Sequence, residues 1–210
     1  MGLEDDGRGP RSRGPVQAAR LRSGDRRLPP AGGIAMSARE PSRLAIREMA
    51  AGELVLVQTI HASAFGRDEE ARLPHAIVSA GHDVISVVAT DGDYFVAHAL
   101  FTALEGADRA LALGPVAVVP DRQGEGIGVR LVRFGLDLAR ERGWRSVFVL
   151  GDPGFYGRLG FRANLARGAV VPWAGPNFQA LELVPGALAG WSGVLVYPDA
   201  FGAGDDEDDD

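Results

Sequence analysis

Residues 109–143 run from the strand-like segment RALALGPVAVV through the turn PDRQGEGIG into the amphipathic stretch VRLVRFGLDLARERG. Ile127, Leu131, Phe134 and Leu138 recur at helical spacing, with Arg130, Arg133, Asp137, Arg140 and Glu141 on the other faces. Gly143 is placed as the residue that ends this helix. A strand delivered into a helix through three alternating glycines, Gly124, Gly126 and Gly128, requires a layered α/β fold. It also exposes the first amides of the helix on a backbone stripped of side chains.

The remaining pattern supplies the rest of the layers. LAIREM (44–49) reads as a short strand, and ELVLVQTIHASAF (53–65) has helical spacing, with Leu54, Val57, Ile60, His61 and Ala64 on one face. RDEEARLPHAIVSAG (67–81) reads as a second helix that Pro74 should kink or divide. VISVVAT and YFVAHALFTAL flank DGD (91–93), a strong hairpin signal, and the second run can pair again with 109–119 across EGAD. SVFVLG (146–151) is a continuous apolar run suited to a buried parallel strand, and GFYGRLGF (154–161) starts a short helix that Gly160 ends. AVVPW, NFQALEL and GVLVY in 162–198 are strand-like pieces between Pro and Gly. The order β-α-α-β-β-β-α-β-α-β-β predicts an α/β chain with a mixed sheet and no internal repeat.

The ends of the chain differ from its middle. Of the formal net charge of −6, the final DDEDDD carries all six units, so the remainder sums to zero. Residues 203–210 read as a solvated acidic tail. Residues 1–40 read as an Arg/Gly/Pro-rich arm, and 41–202 as the folded domain, with Met36 an alternative start. Neither end holds an apolar run suited to a signal peptide or a membrane span, so no membrane association is expected and a cytoplasmic location is. Nucleic acid is not an expected partner, because acidic residues dilute the arginines of the arm and the net charge opposes non-specific binding. With no cysteine, disulfides, thiolate metal sites and a cysteine nucleophile are excluded. His61, His75, His82 and His98 are scattered without a carboxylate pattern, so no metal is expected.

The glycine turn is not a nucleotide P-loop, which needs a lysine this chain lacks. Nor is it a dinucleotide fingerprint: the sixth position is Val129 counted from Gly124 and Leu131 counted from Gly126. What stands is Q-x-x-G-x-G at Gln123, Gly126 and Gly128. Amides at a helix start, with the helix dipole behind them, can cradle a pyrophosphate. Glu125 must then point outward. The alternative is a plain Gly-rich turn, and glycine by itself does not decide.

One helix and one strand later comes Y-x-x-x-G-F, at Tyr156, Gly160 and Phe161. V-x-P-x-x-Q-G-x-G-I-G, at Val118, Pro120 and Gln123 to Gly128, together with this second motif on the right elements, resembles the GNAT N-acetyltransferase superfamily over roughly 44–198. VLGDPGFYGRLGF, PNFQALEL and GVLVYPDAF are similar to its YhbS-like branch. The resemblance implies a mostly antiparallel central sheet flanked by helices and splayed between its fourth and fifth strands. It implies acetyl-coenzyme A as co-substrate, with its pyrophosphate on the amides of Gln123, Gly124, Glu125, Gly126, Ile127, Gly128 and Val129. The pantetheine arm would lie along Val116, Ala117 and Val118, bracketed by Pro115 and Pro120, with the Val118 amide facing the thioester carbonyl.

By the same resemblance Tyr156 is the acid that protonates the leaving thiolate, its ordinary pKa of about 10 suiting a thiol. The general base is not legible: His98, Glu105, Asp152 and Glu70 are candidates. Many relatives carry Asn and Ala where this chain has Val149 and Asp152. Arg158, Arg162 and Trp173 are candidates for the acceptor side. The expected activity is transfer of an acetyl group to a small-molecule or protein amine by direct attack; the alternative is a catalytically degenerate acyl-CoA sensor or partner-binding module of the same fold. A homodimer is a further expectation, with Trp191 or Phe201 at its interface.

Overall fold

The computed structural model describes residues 43–66 and 68–202, the side chains of 68–70 excepted. The expected arm (1–40) and tail (203–210) lie outside the described residues, as does the side chain of Glu70. Strand β1 (Leu44–Glu48) leads into helices α1 (Leu54–Phe65) and α2 (Asp68–Ser79). Strands β2 (Val84–Asp91), β3 (Tyr94–Leu104) and β4 (Ala110–Val118) follow, then α3 (Ile127–Glu141), β5 (Ser146–Leu150) and α4 (Pro153–Tyr156). The chain closes with β6 (Ala169–Val170), β7 (Phe178–Glu182) and β8 (Gly193–Val194).

Six strands form one sheet in the order β1-β2-β3-β4-β5-β7. All pairings are antiparallel except β4 with β5. The hairpin read at Asp91-Gly92 is present, with Asp91 opposite Tyr94. Parallel β5 needs a crossover from β4, and α3 provides it.

The sheet separates two apolar layers. On one face Leu131, Val132, Leu136 and Ala139 of α3 pack over Val87, Ala99, Phe101, Leu111 and Val147. On the other, Leu73 and Ile77 of α2 meet Leu100, Ala112, Phe148 and Phe178. Helix α3 ends where the sequence placed its stop, with Gly143 at a φ of 73°. Arg109 donates from Nε to the Gly143 carbonyl and from Nη2 to that of Arg142, each at 2.6 Å, satisfying groups a helix end leaves open.

Three readings change. Pro74 does not divide α2, which runs unbroken from Asp68 to Ser79, because its buried ring packs into the core beside Leu73 and a single missing N–H does not break so anchored a helix. AVVPW and GVLVY do not join the main sheet: two residues of each pair as β6 and β8, parallel, in a separate ribbon. Trp191 and Phe201 pack within the chain, Trp191 against Phe148 at 5.8 Å with its Nε1 donating to the Gly106 carbonyl, and Phe201 5% exposed.

Gly135 of α3 sits on the buried ring of Phe101, where an added Cβ would fall 2.2 Å from Cε2. Alanine is the better helix former by about 1 kcal/mol, yet a fully buried ring has nowhere to swing. Gly135→Ala should therefore destabilise by about 1–3 kcal/mol through overpacking. Thermal unfolding measures it, and an unchanged or raised Tm would mean the ring turns aside.

Candidate coenzyme and active site

The site begins where β4 leaves its parallel neighbour. β4 pairs with β5 only from Ala110–Ser146 to Ala112–Phe148, yet continues to Val118. On its other side it stays bonded to β3 throughout, with Ala97 opposite Val118, His98 opposite Ala117 and Ala99 opposite Val116. A bulge intervenes: Leu100 alone faces Gly114 and Pro115 between the Ala99–Val116 and Phe101–Leu113 pairs.

Hydrogen bonds alternate sides along an antiparallel strand. The Val119 amide donates to the Val96 carbonyl at 2.9 Å. Residue 117 therefore also bonds toward β3, and the N–H groups of Val116 and Val118 point into the gap beside β5. Pro115 contributes no N–H there. The Val118 carbonyl accepts from Gln123 Nε2 at 3.0 Å, so the side chain of Gln123 folds back on the strand and ties the loop to it.

A 3₁₀ turn at Pro120–Arg122 carries the chain into the glycine loop. Gly124 and Gly126 take φ of 84° and 77°, left-handed backbone that a side chain disfavours, while a Cβ at either would meet nothing within 4 Å. Conformation, not crowding, requires glycine at both. Gly126 is the N-cap of α3, and the first helical bond runs from Arg130 N–H to its carbonyl at 3.2 Å. The amides of Ile127, Gly128 and Val129 therefore have no acceptor within the helix. The first turn of α3 carries no acidic residue. Glu125, the acid nearest it in sequence, is held by Arg122 Nε at 2.9 Å, while Arg122 Nη1 reaches Asp91 at 2.6 Å. The guanidinium pins the loop to the end of β2 and offsets the charge of the Glu125 carboxylate.

Tyr156 ends α4, whose N-cap Asp152 accepts from the Gly154 amide at 2.8 Å. Asp152 is thus spent as a cap. The Tyr156 ring is 2% exposed, edge-on to Phe155 and Phe161, and so close over Gly151 that a Cβ there would lie 2.3 Å from its Cε2. Burial pushes the phenol pKa up, so it stays protonated and has a proton to give. Gln179 of β7, buried, donates from Nε2 to the Gly151 carbonyl at 3.2 Å and braces the same turn. A polar residue in the apolar run NFQALEL was its only signal in the sequence.

The other expected residues disperse. Arg158 Nε donates to the Gly154 carbonyl, and Arg162 Nη1 to those of Gly157 and Phe161. Trp173 packs on Tyr197 at 5.1 Å in the C-terminal cluster. Glu105 bridges Val196 just beyond the end of β3, at the far end of the sheet from the loop.

His98 is not available as a base that meets substrate. Its Nδ1 lies 2.7 Å from His61 Nε2 and its Nε2 lies 2.9 Å from Ser86 Oγ, so both ring nitrogens are engaged. Burial lowers the pKa of His61 to about 4; burial, then the neighbouring His61, lowers that of His98 well below the ordinary value. Both are neutral near pH 7. Among the described residues no group of three or more His, Asp or Glu stands together to hold a metal, and no helix is long and apolar enough to cross a membrane.

The chain is similar to known proteins. The model of the Acetyltransferase (GNAT) family matches residues 54–161. The uncharacterized N-acetyltransferase YhbS of Escherichia coli K12 is 32% identical over 143 residues, covering 65% of this chain and 86% of that protein. The crystal structure of the Escherichia coli YhbS in complex with CoA superposes with a TM-score of 0.72 at 29% identity, covering 78% of this chain and 94% of that one. A GNAT family acetyltransferase from Brucella melitensis in complex with acetyl-CoA gives a TM-score of 0.65 at 30% identity, covering 77% and 99%.

The neutral histidine pair predicts acid sensitivity. A histidine whose folded pKa lies below its unfolded value leaves the unfolded chain holding more protons at low pH. Stability is then complete above pH 6.5 and falls as the pH drops toward 4, by about 3 kcal/mol for His61 alone. Urea unfolding across this range in wild type and His61→Gln checks it; identical pH slopes in the two proteins would contradict the assignment.

Proposed function

Because the chain belongs to the Acetyltransferase (GNAT) family, we propose that it moves the acetyl group of acetyl-CoA directly to an amine, with Tyr156 as acid and the loop 123–129 as the coenzyme cradle. The observation that carries this reading is the unpaired edge of β4. An N–H turned into a gap inside a sheet costs about 1–3 kcal/mol if it finds no partner. The amides of Val116 and Val118 face such a gap, and an extended amide-bearing chain such as pantetheine supplies partners at the right spacing. The donor set fits the rest of the coenzyme as well: three helix-start amides and left-handed Gly124 and Gly126 suit a pyrophosphate.

Bound acetyl-CoA supplies an activated carbonyl whose sulfur can leave. The protein's own part is placement and charge. The Val118 N–H aims at the carbonyl oxygen as it gains charge during attack. The protonated phenol of Tyr156, on α4 with its ring over Gly151 just past the end of β5, hands its proton to the departing sulfur. No covalent enzyme intermediate is required, in keeping with a chain without cysteine. The acceptor is an amine, small or on a protein.

Two measurements test this. Calorimetric titration should show micromolar acetyl-CoA binding to wild type and at least a tenfold weaker Kd for Gly126→Asp, which adds both a disfavoured backbone and a negative charge. No binding by wild type would refute the proposal. Tyr156→Phe should leave that Kd unchanged and lower kcat by about 10²-fold for any amine turned over. Stoichiometric binding with no turnover across a broad amine panel would instead assign an acyl-CoA sensor.

A further inference from the structure

A general acid must come within hydrogen-bond reach of its acceptor, so whatever fixes its ring governs its use. The Tyr156 ring lies against Gly151, the residue that follows β5. A Cβ added at Gly151 would fall 2.3 Å from Cε2 of the ring and 2.9 Å from Cδ2. The backbone at Gly151 does not take a positive φ, so contact with the ring, not conformation, excludes a side chain there. Phe155 and Phe161 close on the ring edge-on, with centroids 4.9 Å and 5.7 Å away. The ring thus rests on one peptide between two other rings, and its tilt follows that peptide.

A distant segment holds this peptide at both of its polar groups. The Gly151 N–H donates to the Asn177 carbonyl at 2.9 Å. This bond continues the β5–β7 ladder, in which Leu150 stands opposite Phe178 and Val149 opposite Gln179. The Gly151 carbonyl lies past the last of these pairs, and there a side chain takes over: Gln179 Nε2 donates to it at 3.2 Å, across 28 residues of sequence. Partners opposite one another in a ladder share a face of the sheet. Val149 belongs to the apolar layer under α3, together with Tyr156 and Phe161, so the Gln179 amide is delivered to the layer that holds the phenol. Gln179 is 2% exposed. A methionine would fill a similar volume without drying an amide, so packing by itself does not ask for glutamine.

We propose that Gln179 is a positioning residue for the acid of the transfer: its amide locks the Gly151 peptide, and the locked peptide sets where the Tyr156 hydroxyl meets the departing sulfur. The inference rests on the acetyl-transfer reading above, with Tyr156 as the acid. The main chain does not do this work by itself. The Tyr156 N–H donates to the Asp152 carbonyl at 3.0 Å, which fixes the Cα and leaves the ring free to tilt. The surface under the ring sets the tilt, and a shift of about 1 Å at a reacting group lowers a rate severely.

Gln179→Met keeps the reach of the side chain and removes the amide, while Gly151→Ala displaces the ring directly. The chain has three tyrosines, so ring spectra of the full chain labelled with carbon-13 tyrosine separate Tyr156 from Tyr94 and Tyr197, and Tyr156→Phe identifies its signal. In Gln179→Met the Tyr156 signal should shift or broaden while the other two stay in place. Acetyl-CoA should bind within about twofold of wild type, and kcat should fall about tenfold at unchanged KM for whichever of an alkylamine, an arylalkylamine and a dipeptide is turned over. Added to Tyr156→Phe, Gln179→Met should lower kcat no further, because it acts through the phenol. Gly151→Ala should show the same pattern, so if one variant does not fold the other decides. An unmoved Tyr156 signal in a folded variant overturns the proposal, and so does a tenfold loss that persists in the Tyr156→Phe background. Wild-type kcat in Tyr156→Phe would refute the acid reading itself. A large loss in Tyr156→Phe beside an unaffected Gln179→Met would refute the positioning alone.

Discussion

Everything around the site depends on two parallel strands that part after three residues. β4 and β5 are bonded from Ala110 to Ala112 and then diverge, although each stays paired on its outer side, β4 to β3 across one bulge and β5 to β7. A sheet that opened without those outer partners would lose both strands to water. Here the outer ladders hold the strands, and the inner edges leave their N–H and C=O groups facing the gap. The bulge at Gly114 and Pro115 lies where the strand turns from β5, and its mechanical effect suits that place: one added residue bends the strand and re-aims Val116 to Val118 beyond it.

Charge is arranged around this opening with little net excess. A pyrophosphate cradle made of side-chain cations would have to shed its own hydration for each ligand. In the cradle we propose, helix amides and the helix dipole take that part, oriented before anything binds. The one arginine in the loop that is tightly engaged, Arg122, is bonded to Asp91 and Glu125 and works as a fastener. On the opposite face of the sheet the same economy takes another form: two uncharged histidines share their protons in a dry layer, where a charged pair 2.7 Å apart could not stand.

Local pattern was enough for elements whose partners are near in sequence. The hairpin at Asp91-Gly92, helix α3 with its stop at Gly143, and the short helix α4, which passes into a 3₁₀ turn that Gly160 stops, appear where periodicity and turn chemistry put them. The pattern failed where partners are remote. AVVPW, NFQALEL and GVLVY look alike as apolar fragments, yet only NFQALEL enters the main sheet, because only it runs alongside β5. His98 looked like a candidate base in an apolar strand. Its engagement by His61, 37 residues earlier, depends on how α1 lies across β3. Gln179 and Gly151, more than 20 residues apart, gave no joint signal.

The sequence by itself determined the glycine loop, its position between a strand and an amphipathic helix, and the tyrosine that comes after them. These depend on backbone conformations and short-range periodicities that residue types dictate directly. Only the tertiary structure decided that β4 stops pairing with β5 at Ala112, which amides face the gap, and which histidine nitrogen is left without a partner. Such facts arise from hydrogen bonds closed between segments distant in the chain. Whether a buried donor or acceptor is satisfied depends on what packs beside it, and no local pattern contains that.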